Sequence, residues 1–79
     1  MPTKLKDYIT IDRSILGGTP VITGTRIPII RLSALMRQGY TMATLEEEFP
    51  HIEPKVIQNL MAYLLEFGLD AVKKHKEDR

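Results

Sequence analysis

The pattern of apolar and polar residues near the N-terminus predicts two short strands. Residues 8–11 mix aromatic, β-branched and polar side chains in the way that is typical of a strand. A second strand is predicted over residues 19–23, and the glycine-rich residues 12–18 would turn the chain between the two. We therefore expect a small β-hairpin, with Pro20 at an edge or at a strand start because proline cannot donate a ladder hydrogen bond.

Beyond residue 27, the apolar residues recur with the period of an α-helix. The first helix is expected to have Pro28 at its first position and to stop at Gly39. Its apolar face comprises Ile29, Leu32, Leu35 and Met36. A shorter second helix follows, with Thr41 as its N-cap. It should end at Phe49, because Pro50 disfavours helical geometry in the residue before it.

The third predicted helix runs from Pro54 to Gly68 and is apolar around most of its circumference. A stripe this wide exceeds what two short helices and a hairpin can cover, so part of it is expected to meet a second copy or another protein. The residues assigned to that interface are Ile57, Met61, Leu64 and Leu65. Residues 69–79 form a charged end, which is either a frayed, solvated tail or a segment that docks on a partner.

The predicted fold is mainly α-helical, with a short N-terminal β-hairpin followed by three or four helices. A chain of 79 residues supports one domain, here divided into a β lead-in (8–27), a helical core (28–67) and the charged tail (69–79). The sequence contains no cysteine and no apolar stretch typical of a signal peptide or membrane span, so we expect a cytoplasmic protein. A small domain without disulfides is often an oligomer, and a homodimer is expected.

A run of glycines, prolines and threonines before the first helix sets the direction of the backbone. The residues assigned to this structural motif are Asp12, Gly17, Gly18, Pro20, Gly24, Thr25, Arg26 and Pro28. A phosphate-binding loop is disfavoured, because Gly18 is followed by Thr19 and proline instead of the Lys-Ser/Thr of a Walker loop. Arg26 is expected to bridge Asp12 or backbone carbonyls; the alternative is a contact to phosphate or to a protein partner.

Several motifs of the chain resemble those of a bacterial and archaeal family called domain of unknown function 433. These motifs are Ile15-Leu16-Gly17-Gly18, Pro20-Val21-Ile22, Gly24-Thr25-Arg26-Ile27-Pro28, Gly39-Tyr40 and Phe49-Pro50, and the resemblance covers residues 8–67. The resemblance implies a homeodomain-like helix-turn-helix domain. It also implies an antitoxin similar to VapB-type proteins, which binds and restrains a PIN-like nuclease toxin and can repress its own operon.

A helix-turn-helix domain would place the start of the third helix in the major groove of operator DNA. The residues assigned to DNA contact are Arg31, Arg37, Lys55, Gln58 and Asn59. Glutamine and asparagine can pair with adenine, and lysine can reach guanine or phosphate. The two arginines would supply phosphate contacts. The nearby acidic run Glu46-Glu47-Glu48 would repel the DNA backbone. The alternative is therefore that these polar residues form only the exposed edges of helices that pack in the core.

Catalysis and metal binding are not expected. The two histidines, His51 and His75, have no cysteine partners, and no nucleophile–base pair or paired carboxylates stand out. We therefore expect a non-enzymatic binding protein without cofactor or metal. Its first expected role is that of an antitoxin; the alternatives are a stand-alone helix-turn-helix transcription regulator and a dimerisation or assembly module that does not bind DNA.

Overall fold

The computed structural model of the protein describes residues 7–69, along which two short strands are followed by three helices. The elements are β1 (Ile9–Thr10), β2 (Val21–Ile22), α1 (Ile29–Arg37), α2 (Met42–Glu48) and α3 (Pro54–Phe67). The chain is therefore mainly helical with a hairpin at its N-terminus, as the apolar pattern predicted. Residues 70–79, which hold most of the predicted charged tail and His75, lie outside the described residues.

β1 and β2 form an antiparallel ribbon in which Ile9 lies opposite Ile22. The chain then returns along the other side of β2. The backbone N–H of Ile22 donates to the Ile27 carbonyl at 2.9 Å, and Val21 forms a bridge with Pro28. β2 is thus paired on both sides, and this pairing fixes the segment that enters α1.

The prediction that Pro28 is the first residue of the first helix is wrong by one position. Pro28 has an extended backbone, with φ −65° and ψ 141°, and α1 begins at Ile29. The reason is the antiparallel bridge to Val21, which an already helical residue 28 could not form. The N–H of Ile29 donates to the Pro20 carbonyl at 2.9 Å, so the start of α1 is tied to the residue directly before β2.

A tight turn over residues 22–25 reverses the chain after β2. The N–H of Thr25 donates to the Ile22 carbonyl at 3.0 Å, and Gly24 has φ 81° at the third turn position, where a positive φ favours glycine. The Thr25 hydroxyl reinforces this turn. Its Oγ1 donates to the Ile22 carbonyl at 2.7 Å and accepts from the N–H of Ile27 at 3.0 Å. Thr25 therefore joins the two segments that flank the turn.

The expected bridge between Arg26 and Asp12 does not form. Asp12 Oδ1 accepts hydrogen bonds from the backbone N–H of Ser14 at 2.9 Å and from its hydroxyl at 2.8 Å. Arg26 is exposed, and its guanidinium has no hydrogen bond or ion pair with any of the residues 7–69. The physical reason is that donors two residues away satisfy the carboxylate without the entropic cost of ordering a long arginine side chain.

Two helix ends carry recognisable capping motifs. α1 ends in a Schellman motif, in which Gly39 has φ 99° and the N–H of Tyr40 donates to the Leu35 carbonyl at 3.0 Å. Thr41 caps α2, since its Oγ1 accepts from the N–H of Thr44 at 3.3 Å. The Thr44 hydroxyl in turn accepts from the Thr41 N–H at 2.7 Å, which completes a capping box.

The ribbon and the helices pack around one cluster of buried apolar side chains. Its members are Ile9, Ile22, Ile29, Leu32, Leu35, Leu45, Phe49, Ile57, Leu60 and Leu64. α3 opens with Pro54, as predicted, and Gly68 follows its last residue with φ 103°. Among residues 7–69, no helix is both long and apolar enough to span a lipid bilayer.

Candidate interaction surface

α3 buries one stripe of apolar residues in the core of its own chain. Ile57 and Leu64, which the sequence assigned to a partner interface, have no exposed surface, because they belong to the cluster that joins the ribbon to the helices. The structure corrects the assignment for these two residues, since a side chain without accessible surface cannot contact a second molecule. Met61 is partly buried against the same core, whereas Leu65 is 66% exposed.

The C-terminal part of α3 carries apolar side chains on both sides of this stripe. We call residues 61–67 the distal turn of α3. Met61 and Leu65 are four residues apart and share one flank, whereas Tyr63 and Phe67 share the other. The rings of Tyr63 and Phe67 pack at a tilt, with 5.0 Å between their centroids, and Phe67 is 55% exposed. The distal turn therefore presents apolar surface that residues 7–69 leave uncovered.

Two of the residues assigned to DNA contact lie beside carboxylates of α2. Arg31 Nη2 lies 3.7 Å from Glu48 Oε2, and both side chains are largely exposed. Gln58 Nε2 donates to Glu46 Oε2 at 3.4 Å. The acidic run that was expected to oppose DNA binding thus neighbours both α1 and α3. Its negative charge lies where phosphate groups would approach Arg31 or Gln58, which weakens any DNA contact there.

The other three assigned residues are differently placed. Asn59 Nδ2 donates to the Lys55 carbonyl at 2.7 Å, so one of its amide hydrogens is used along the helix. Lys55 is exposed in the first turn of α3. Arg37 is exposed at the end of α1 and already takes part in an interaction within the chain. Lys55 is the assigned cation that remains most available to an anionic ligand.

A cleft of about 370 Å³ opens between the turn at residues 22–25, which follows β2, and the connection between α2 and α3. The residues that line it are Asp7, Tyr8, Ile22, Thr23, Gly24, Thr25, His51, Ile52, Glu53 and Val56. The lining combines aliphatic side chains with two carboxylates and one imidazole. His51 lies in the connection between the helices, where the sequence placed a turn residue. No sequence signal pointed to the cleft, because its walls come from three segments that only the tertiary fold brings together.

The carboxylate of Asp12 in the lead-in is stabilised by hydrogen bonds from Ser14. The pKa of Asp12 lies below its ordinary value, first because the backbone N–H of Ser14 donates to the carboxylate and second because the Ser14 hydroxyl does. The carboxylates and the imidazole at the cleft are not arranged as a metal site: within residues 7–69, no group of three or more such side chains is placed to hold a metal ion.

Comparison with known proteins places these features in a family. The model of the family described as "Protein of unknown function (DUF433)" matches residues 9–64, which span the ribbon and the buried part of α3. The uncharacterised protein y4eO of Sinorhizobium fredii (strain NBRC 101917 / NGR234) is 31% identical over 58 residues. The similarity covers 73% of this chain but only 26% of that relative, so the chain spans about a quarter of the relative's length. No solved structure matches the chain. Since the family match extends over most of the sequence, the chain belongs to the DUF433 family.

Proposed function

We propose that the chain is an antitoxin that restrains a PIN-like nuclease by binding it, and that the distal turn of α3 contacts the nuclease. The observation that carries this proposal is the exposure of Leu65 and Phe67 at the end of a helix whose central stripe is buried. The antitoxin role that the resemblance to the DUF433 family implies supports the choice of partner. Such a protein acts by binding rather than by catalysis, in the cytoplasm beside its toxin.

The distal turn has the chemistry of a protein-binding surface rather than of a nucleic-acid-binding one. Large exposed apolar side chains next to one another along a helix mark contact sites in soluble proteins, and aromatic anchors supply much of the binding energy of an interface. Leu65 and Phe67 lie on opposite flanks of α3, so the nuclease would have to embrace the end of the helix to contact both. Tyr63 and Phe67 already support each other through their ring contact, so less side-chain freedom is lost when Phe67 binds. Leu65 would fill a pocket on the opposite flank.

Operator binding takes second place in this proposal. The exposed Lys55 and Gln58 at the start of α3 favour it, but Glu46 lies 3.4 Å from the Gln58 amide. If DNA is bound, affinity should fall steeply with salt, and Arg37→Ala should reduce the salt slope by about one counterion. A stand-alone transcription regulator would show such binding without any nuclease partner. An assembly module would show neither binding activity.

The decisive experiment is co-expression with a small PIN-like nuclease encoded beside the gene, followed by size-exclusion chromatography and a nuclease assay. We expect a stable complex with inhibited nuclease. Leu65→Asp and Phe67→Ser should each weaken the complex about tenfold or more. Ile30→Ser is the matched control, because Ile30 is an exposed apolar residue on a different helix.

Two outcomes contradict different parts of the proposal. A nuclease that remains active and elutes separately from the wild-type chain refutes the antitoxin role. Inhibition that survives Leu65→Asp and Phe67→Ser but not Ile30→Ser moves the contact from α3 to α1. Circular dichroism of each variant ensures that a lost complex is not caused by a lost fold.

A further inference from the structure

The loop between the two strands holds a leucine in a backbone conformation that leucine rarely adopts. Leu16 has φ 49°, and Gly17 follows with φ 65°. The N–H of Gly18 donates to the Ile15 carbonyl at 3.0 Å, which closes a turn with positive φ at both central positions. Turns of this type favour asparagine, aspartate or glycine there, because a Cβ atom is strained in this region.

The strain at Leu16 is not explained by packing inside the chain. Its side chain is 45% exposed and does not belong to the buried cluster. Backbone strain tends to persist where a side chain is used for function. Ile11, 52% exposed, and the exposed Arg13 lie on the same loop. Residues 11–16, which we call the Leu16 loop, thus present two aliphatic side chains, the cation of Arg13 and the carboxylate of Asp12 to solvent. The Asp12 carboxylate already accepts two hydrogen bonds from Ser14, whereas the Arg13 side chain extends from the same loop as its one cation.

The cleft beside the turn at residues 22–25 has a lining that is complementary to the side chains of the Leu16 loop. The partly exposed Ile52 and Val56 supply apolar walls, and the carboxylates of Asp7 and Glu53 lie along its lining. Its volume of about 370 Å³ is in the range of sites that enclose small ligands, and it exceeds what one aliphatic side chain needs. An aliphatic residue close to a cation is the occupant that such a lining favours.

The Leu16 loop cannot enter the cleft of its own chain. The ribbon, in which Ile9 pairs with Ile22, separates the two features. The cleft lies at the end marked by Tyr8 and Thr23, and the loop leaves the opposite end, after β1. The occupant must therefore come from a second molecule. In a twofold arrangement, the loop of each copy would lie in the cleft of the other, and twofold symmetry is the usual way in which two identical chains associate.

We propose that two copies of this chain associate by exchanging Leu16 loops, with Leu16 of one copy on the apolar walls of the other copy's cleft and Arg13 beside Asp7 and Glu53. This interface is separate from the distal turn of α3. The dimer therefore leaves that surface open to another protein, and the proposal does not depend on the antitoxin role. The loop-exchange interface, rather than the buried residues Ile57 and Leu64, is then the basis of self-association.

The test is sedimentation velocity of the wild-type chain and its variants across a wide dilution series. The wild type should show a reversible monomer–dimer equilibrium. Arg13→Glu and Glu53→Arg should each weaken dimerisation about tenfold or more, and the double variant should recover most of the loss, because the swapped charges attract again. Glu66→Arg is the charge-matched control on α3 and should dimerise as the wild type does.

A second variant separates a binding role of Leu16 from a structural one. Leu16→Gly removes the strained Cβ atom, so at a concentration at which the wild type is mostly monomeric the melting temperature of the variant should be equal to or higher than that of the wild type. At higher concentrations its dimerisation should be lost. Lower thermal stability of Leu16→Gly together with unchanged dimerisation would assign the leucine a structural role and overturn the proposal. A wild type that stays monomeric at every concentration, or charge variants whose double form shows no recovery, would overturn it as well. Whether or not Leu16→Gly dimerises, it should inhibit the nuclease as well as the wild type does, because the distal turn of α3 is unchanged.

Discussion

Arg31 on α1 and Glu48 on α2 face each other with 3.7 Å between Nη2 and Oε2, and both side chains are well exposed to water. An exposed pair of this kind contributes little, because solvent screens the charges and two long side chains must be ordered. Arg31→Ala should therefore lower the free energy of unfolding by less than about 1 kcal/mol. Urea denaturation measures this, with Ile30→Ala as a neighbour on the same helix. A loss above about 2 kcal/mol would mean that the arginine stem packs on the core.

Leu60 lies in the middle of α3 and has no exposed surface. Leu60→Ala removes buried methyl groups and leaves a cavity, so it should destabilise the protein by about 2–5 kcal/mol. Leu65→Ala provides a matched control on the same helix, because Leu65 is mostly exposed and its truncation should change stability by no more than about 0.5 kcal/mol. Equal losses in the two variants would contradict the orientation of α3.

The comparison of Leu60 with Leu65 also shows what the sequence can and cannot predict. Proline, glycine and threonine mark helix ends through local backbone chemistry, so α1, α2 and α3 were predicted to within a residue or two. The apolar period identifies a helix, but it does not distinguish side chains that meet the chain's own core from those that meet a partner. Ile57 and Leu65 were therefore assigned to one interface, although only Leu65 is exposed.

The features of the lead-in that the sequence missed depend on contacts between distant segments. The cleft at Glu53 exists only because the turn at residues 22–25 lies beside the connection between α2 and α3. The bridge of Val21 to Pro28 forms across that same turn, where the sequence predicted the start of a helix. The glycines at 17 and 18 predicted a turn, but nothing in the sequence indicated that Leu16 would share their positive φ. A side chain held against its own backbone preference becomes visible only in three dimensions.

Asp12 should make the stability of the protein weakly dependent on pH in the acidic range. Its pKa in the folded chain is lowered, mainly by the backbone N–H of Ser14 and also by the Ser14 hydroxyl. A carboxylate of this kind stabilises the fold at pH values above its unfolded pKa of about 4, and the contribution disappears as the pH falls through the lower folded pKa. The stability difference between the wild type and Asp12→Ala should therefore be largest near neutral pH and shrink below about pH 4.

Thermal melts from neutral pH down to pH 3 would measure that difference. Ser14→Ala is the matched variant, because it removes the hydroxyl donor but keeps the backbone N–H. The stability difference between Ser14→Ala and the wild type should be smaller than that for Asp12→Ala, and it should also shrink as the pH falls. A difference that grows as the pH falls would mean that the neutral carboxyl, rather than the carboxylate, is the form that Ser14 stabilises.

Thr25 should contribute more to stability than its partly exposed position suggests. Its hydroxyl donates to the Ile22 carbonyl and accepts from the Ile27 N–H, so it joins β2 to the segment that enters α1. Thr25→Val keeps the shape of the side chain but leaves both backbone groups without this partner, which should cost about 1–3 kcal/mol. Thr25→Ser retains the hydroxyl and should lose much less. If the two variants unfold at the same urea concentration, the hydroxyl has no role in fixing the turn. If Thr25→Val alone is destabilised, the hydroxyl reinforces the backbone hydrogen bond from the Thr25 N–H to the Ile22 carbonyl, which closes the turn at the wall of the cleft.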